Sequence, residues 1–175
     1  MKTSIALIGF MGTGKSVVGK ILAEKLKKQF IELDEFVEQS AGKSVAEIFN
    51  EGEIAFRELE IAAVKEIAGV DNQVIACGGG VVLNRINIDR LQQKAVIVYL
   101  TASPGVILKR TAGGNRPLLN VGDRKARIRE LLQFRRPFYE RAADVMINTT
   151  VISPDEVARQ IIEKLKEDES LHFEK

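Results

Sequence analysis

Cysteine and histidine are almost missing from this chain of 175 residues, each occurring once. With Cys77 alone no intrachain disulfide can form, which fits a reducing compartment. The single histidine, His172, lies at the charged C-terminal end, where chains commonly fray. A histidine general base or a histidine-based metal centre is therefore not expected, and acid–base work falls to carboxylates or to no group at all. A strong charge imbalance is also lacking. The net charge of +2 is too small for a general nucleic-acid or membrane binder. Nor is there a long hydrophobic run: the apolar stretch after Lys2 covers about seven residues, too short for a signal peptide or a membrane span. A soluble, cytoplasmic chain is expected, with neither nucleic acid nor membrane as partner. No repeat, linker or shift in composition interrupts it, so one domain over residues 1–175 is expected.

What is present is an alternation of short apolar runs and amphipathic stretches. Ser4 to Gly9, Phe30 to Leu33, Gln73 to Cys77, Ala95 to Leu100 and Val145 to Asn148 read as strands. Val18, Leu22 and Leu26 recur at helical spacing, which predicts a helix to about Lys28. Phe56, Leu59, Ala63 and Ile67 mark a second helix, and Val157, Ile161 and Leu165 a third. Ser44-x-x-Glu47 is a capping box that opens a shorter one. Ser103-Pro104 and Ser153-Pro154 each pair an N-cap with proline at the first helical position, and Glu156 completes a second capping box. Strands alternating with helices predict an α/β fold, a parallel sheet covered on both faces. One long irregular stretch, Thr111 to Asp123, has the length of a functional lid or a disordered segment.

Gly9-Phe-Met-Gly-Thr-Gly-Lys-Ser16 matches the Walker A pattern in full, after a strand and before a helix. Glycines let successive backbone N–H groups turn inward around a phosphate, and the helix N-terminus at Gly14 adds partial positive charge. Lys15 can bridge the β- and γ-phosphates and the Ser16 hydroxyl can ligate Mg²⁺. The motif points to a nucleoside triphosphate without saying what is done with it.

Several residues could serve an acceptor. Glu32 and Asp34 share a face if the second strand continues, although Asp34 also reads as a helix cap. Arg57 and Glu60 lie three apart on a helix, where a surface ion pair of little consequence is one reading. Gly78-Gly79-Gly80 suggests backbone closely approached by a ligand, or a tight turn. From Lys109 to Arg141 the chain is basic, mostly as solvated helix surface, with Phe134, Phe138 and Tyr139 fitting a helix-packing face. Arg116, inside the glycine-flanked stretch, and Arg135, close to Pro137, stand apart from the rest as candidates for binding carboxylate or phosphate.

Taken together, GFMGTGKS, FIELDEFVE, GEIAFRELE, VIACGGGVV, NRPLL and RRPFYERAADV resemble the shikimate kinase family, in its order and at its spacing, from about Ser4 to Ile162. The resemblance implies a three-layer αβα P-loop kinase fold with a five-stranded parallel sheet, a mobile lid at about residues 111–123 and a shikimate-binding helical region at about residues 34–60. It implies that Gly12, Thr13, Gly14, Lys15, Ser16 and Val17 hold ATP, that Arg110 packs on adenine, and that the loop Thr149 to Pro154 lies across the base. By the same resemblance Asp34 binds shikimate hydroxyls and orients or deprotonates the attacking one. Arg57 and Arg135 match the arginines that hold the carboxylate, and Gly78, Gly79 and Gly80 match the backbone beside the ring. Arg116 matches the lid arginine that reaches the transferring phosphate. Glu32 stands where the family usually has aspartate, at a position associated with Mg²⁺, often through water.

The implied reaction is Mg²⁺-dependent transfer of the γ-phosphoryl group of ATP to the 3-hydroxyl of shikimate, with Lys15, Asp34 and Arg116 as the catalytic residues and a monomer as the expected state. The competing readings are a P-loop kinase for gluconate or a nucleoside monophosphate, and a non-catalytic ATP-binding switch. The charged tail after Lys164 reads as a solvated helix end.

Overall fold

Five parallel strands form one sheet among the described residues, which in this computed structural model are 1–114, 117–120, 122–171 and 173–174. The strands are β1 Ser4–Ile8, β2 Gln29–Glu32, β3 Gln73–Ala76, β4 Ala95–Thr101 and β5 Val145–Asn148, in the spatial order β2-β3-β1-β4-β5. β1 is central, with Ile5 opposite Val74 on one side and Val96 on the other. Helices α1 Lys15–Leu26 and α8 Pro154–Glu167 cover one face. Helices α2 Leu33–Ala41, α3 Val45–Asn50, α4 Glu53–Ile67, α5 Arg85–Leu91, α6 Pro104–Arg110 and α7 Arg124–Ala142 contribute to the other.

The strand period explains the two cores. Ile5 and Leu7 of β1 pack with Val18 and Leu22 of α1 and with Val157 and Ile161 of α8. Ala6 and Ile8 point the other way, into Val64 of α4, Leu91 of α5 and Tyr139 of α7. Both faces are dry, which is why these strands read as unbroken apolar runs. Each fully buried Leu or Ile side chain contributes roughly 1.5–3 kcal/mol, so the central strands carry much of the stability. Because β1 has β3 on one side and β4 on the other, the chain leaves it in opposite directions, and the crevice at its carboxyl end is the place where open α/β sheets bind ligands.

The strands, the capping box at Ser44 and the two Ser-Pro helix starts match the sequence reading. Other expectations are corrected. The second strand stops at Glu32, and α2 begins at Leu33, so Asp34 is helical and does not share an extended strand face with Glu32. Leu33 and Val37 bury one side of that helix, and Asp34 and Glu35 suit its positive end. Glu32, not Asp34, is the N-cap, and it makes no capping hydrogen bond from its side chain. At α8 the Ser153 hydroxyl accepts from Glu156 N, but the Glu156 carboxylate is held by Arg159 and Gln160, so only half of the expected capping box is in place. On α7 Tyr139 is buried, whereas Phe134 is 60% exposed and stands off the packing face. The stretch taken as irregular contains a 3-10 turn, Pro117–Leu119, whose Leu119 is buried.

The C-terminal tail is not frayed where it is described. Leu171 is buried, Phe173 forms a parallel bridge with Lys2, and Lys28 lies 5.2 Å from the Phe173 ring centre. Arg116 and His172 lie outside the described residues. Among the described residues no helix is long and apolar enough to cross a membrane.

Ser44→Ala removes the acceptor for Glu47 N at 3.2 Å. The variant is expected to lose about 1 kcal/mol of unfolding free energy. A urea midpoint equal to that of the unsubstituted protein would show that this cap does not hold α3.

Candidate active site

The loop between β1 and α1 turns on Gly9, whose φ of 145° suits glycine; a Cβ there would lie 2.4 Å from the Leu100 carbonyl oxygen of β4. The turn is closed internally. Thr13 Oγ1 donates to the Phe10 carbonyl at 2.8 Å, and Lys15 Nζ donates to the Gly9 and Phe10 carbonyls at 2.8 and 3.0 Å. Cavities lie on both sides of this loop. Met11 lines one, and Gly12, Thr13 and Gly14 line the other.

The first cavity, about 250 Å³, brings Asp34, Arg57, Gly78, Gly79, Gly80 and Arg135 together. The three glycines at the end of β3 are the reason these side chains can meet. A Cβ on Gly78 would lie 2.7 Å from Asp34 Oδ1 and 3.1 Å from Glu60 Oε2. On Gly80 it would lie 2.2 Å from Arg57 Nη2. Only at Gly79 is there ordinary room, with Met11 N at 3.5 Å and Arg135 Nη1 at 3.6 Å. Two of the glycines are thus crowded by the protein's own charged groups, and the middle one presents backbone to the cavity. Tyr139 OH donates to the Gly79 carbonyl and stacks on Tyr99, which fixes that turn against α7.

Arg57 is not in the weak surface pair that its spacing allowed. Its Nη1 donates to Glu60 Oε1 at 3.0 Å, and Glu60 is completely buried while Arg57 is 12% exposed on its side chain. Arg57 Nε and Nη2 also donate to Glu53 Oε1, at 3.3 and 3.0 Å. Burial pushes the Glu60 carboxyl up to about 7, against the pull of Arg57. Arg135 is 2% exposed, its guanidinium 5.9 Å from the Phe10 ring centre. It has no carboxylate ion-pair partner, and its Nε no hydrogen bond, among the described residues. A buried guanidinium without a carboxylate is costly unless an anion joins it.

The second cavity, about 410 Å³, lies between the phosphate loop and the segment after β5. Arg110 Nη1 donates to the Gly12 carbonyl and to Thr149 Oγ1, both at 3.2 Å, and Nη2 donates to the Thr149 carbonyl at 2.9 Å. Val17, Ile152 and Pro154 make its apolar wall.

Glu32, at the end of β2, and Ser16, in the first turn of α1, are the oxygen donors beside the phosphate loop. Burial raises the Glu32 pKa above the ordinary carboxylate range, against the opposing pull of the Ser16 side chain and of Lys15. No group of three or more His, Cys, Asp or Glu side chains suited to a metal occurs among the described residues. Two oxygen donors of this kind suit a hard cation such as Mg²⁺.

The structure gathers Asp34, Arg57, Arg135 and the three glycines around one cavity and Gly12, Thr13, Gly14, Val17 and Arg110 around the other; Lys15, Ser16 and Glu32 line neither, and Arg116 lies outside the described residues. Sequence reasoning missed Glu53, Tyr139 as a turn anchor and Leu118 as a wall of the first cavity. Glu53 stands four residues before Arg57, a spacing that could have been read as a second carboxylate on the same guanidinium. No local signal ties Tyr139 to a residue 60 positions away.

A family model described as shikimate kinase matches residues 11–166. The chain is 48% identical over 165 residues to a shikimate kinase of Thermodesulfovibrio yellowstonii, covering 92% of this chain and 94% of that one. It is 51% identical over 161 residues to a shikimate kinase of Caldanaerobacter subterraneus subsp. tengcongensis, covering 91% and 94%. Among solved structures, a shikimate kinase from Acinetobacter baumannii in complex with shikimate superposes with a TM-score of 0.91 at 34% identity, over 95% of this chain and 94% of the other. A gluconokinase from Sinorhizobium meliloti, at 21% identity and a TM-score of 0.61, shares the fold.

The raised Glu60 pKa gives a signed expectation. Between 4.5 and about 7 the folded protein holds a proton on Glu60 that the unfolded chain has released. Stability contributed by that group is full below pH 4.5 and declines as pH rises to about 7. Glu60→Gln should remove this decline; urea midpoints across that range with the same slope in both proteins would contradict it.

Proposed function

The chain belongs to the shikimate kinase family and catalyses ATP-dependent phosphorylation of shikimate in the shikimate pathway, and from that premise we propose how its side chains divide the work. The observation that carries the assignment is Arg135, a buried guanidinium facing the first cavity without a carboxylate of its own among the described residues. In this reading the shikimate carboxylate lies between Arg135 and Arg57, and the Gly79 backbone lies along the ring. Asp34, across the cavity, accepts a hydrogen bond from the 3-hydroxyl and orients its oxygen toward the phosphate loop. The triphosphate occupies the loop from Gly12 to Val17, with Lys15 leaving the Gly9 and Phe10 carbonyls to meet it.

Phosphoryl transfer of this kind is loose and nearly in line, so positioning and charge neutralisation are the protein's main contributions. Lys15 and Arg116 neutralise the moving group, and Arg110 packs on the adenine against the segment Thr149 to Pro154. The Ser16 and Glu32 oxygens would hold Mg²⁺, which when bound supplies charge stabilisation to the phosphates. Glu32, one methylene longer than aspartate, suits contact through the Ser16 side or through water.

Residues 111–123 act as the lid of the single domain. Arg127 Nε donates to the Leu118 carbonyl at 3.2 Å and Arg124 Nη2 to the Thr111 carbonyl at 2.5 Å, so α7 holds the lid's first residue and its middle. Closure there would exclude water, a competing acceptor. Residues 34–60 form the rest of the acceptor wall. Every group invoked comes from one chain, which favours a monomer, and the reading places it in the cytoplasm.

The test is ADP release with Mg²⁺ and ATP, comparing shikimate with gluconate, nucleoside monophosphates and no acceptor; turnover with shikimate alone is expected. Arg57→Ala should raise the KM for shikimate about a hundredfold, in line with removing one side of a buried charged contact, while the KM for ATP stays near its starting value. Loss of ATP binding alone in that variant would sink the carboxylate assignment.

A further inference from the structure

We propose that the donor site is tolerant of the nucleotide base, so that GTP and ITP serve as phosphoryl donors alongside ATP. The inference rests on the donor placement proposed above and concerns the cavity beyond the phosphate loop. Val17, Val18, Ile152 and Pro154 give that cavity apolar walls. Its two side chains with hydrogen-bonding groups beyond the loop are already engaged with the protein. Thr149 is 3% exposed, and its hydroxyl is bonded to the Thr13 and Thr101 carbonyls at 3.0 Å and to Arg110 Nη1 at 3.2 Å. Arg110 turns its Nη1 and Nη2 edge to Gly12 and Thr149, so it offers the base a flat face.

Telling adenine from guanine or hypoxanthine requires groups that distinguish an amino donor from a carbonyl acceptor at the six-position. A guanidinium face and aliphatic walls bind all three rings, because each has the same π-surface and shape. A site built to hydrogen-bond a particular group rejects its analogue by about ten-thousandfold or more, whereas an apolar pocket discriminates weakly. Backbone groups of the segment after Thr149 remain, but Val151 is 91% exposed. A hydrogen bond made there replaces one to water and is worth about tenfold at most.

The chemistry is unchanged by the base. The bond from the γ-phosphorus to the bridging oxygen breaks, one to the shikimate hydroxyl oxygen forms, that hydroxyl's proton passes by way of the Asp34 carboxylate to water, and the nucleoside diphosphate departs. Phosphate contacts, which supply the affinity in this reading, are common to all three donors.

The experiment is calorimetric titration of the intact protein with ATP, GTP and ITP in Mg²⁺, beside shikimate 3-phosphate formation from each donor. Dissociation constants within about thirtyfold of one another are expected, given the weak discrimination of an apolar pocket. Tighter binding of ATP by more than that factor over GTP and ITP would overturn the proposal. Failure to phosphorylate shikimate with any donor would strike the acceptor reading instead, while the ratio of dissociation constants would still decide base tolerance.

Discussion

Two side chains that are not there govern this site. At Gly78 and Gly80 the backbone of the β3 end is in contact with Asp34, Glu60 and Arg57 at distances that no Cβ would permit. That closeness lets α4 lay a guanidinium flat along the strand end and lets Glu60 stay wholly buried behind it. A buried ion pair contributes little net stability, because desolvation offsets most of the attraction, yet removing one partner is costly. The pair therefore acts as an orienting device. Glu60 from within and Glu53 from the rim fix the guanidinium, and Gly80 leaves the room it occupies against the strand end.

The same turn ties the two cavities to one another. Tyr139 reaches from α7 to the Gly79 carbonyl, and Arg135, four residues earlier, lies one helical turn away beside Phe10 of the phosphate loop. On the other side of that loop Thr149 bonds the Thr13 carbonyl and Arg110 bonds the Gly12 carbonyl. The phosphate loop is thus gripped from both flanks by groups that also line the cavities. A phosphate held at its centre would lie between the two, which is the geometry that in-line transfer requires.

Much of this was legible in the sequence where the signal is local. The five strands, the Walker A loop and the Ser44 capping box depend on neighbours within a few residues, and each lies where the pattern put it. Asp34 reads either as continuing the strand or as capping the helix, and it is neither, because the helix whose buried side is Leu33 and Val37 already begins at Leu33 with Glu32 as its N-cap. Arg57 and Glu60 were legible as a pair but not as a buried one. Their burial depends on the glycine turn about 20 residues away and on α7 beyond it, and helix spacing carries neither. Arg135 stands out only by its place near Pro137; that it is buried with no carboxylate ion-pair partner among the described residues is a property of the packed site.

The fold does not choose the acceptor, since a gluconokinase shares it at 21% identity. The choice lies in size and charge. A cavity of about 250 Å³ is smaller than the range typical of drug-sized ligands, which favours a single small ring over a nucleotide. A flexible sugar acid could bring a hydroxyl to Asp34, but under the proposed assignment the acceptor must at the same time bring its carboxylate to Arg135 at the far end of a rigid frame. A flexible acid would lose conformational entropy to span that frame, whereas a ring that holds its carboxylate and hydroxyls at fixed separation has little to lose. Under the proposed assignment, selectivity for shikimate follows from the rigidity of both partners: an Arg57 guanidinium fixed by Glu53 and Glu60, an Arg135 guanidinium fixed by its burial, and an acid fixed by its own ring.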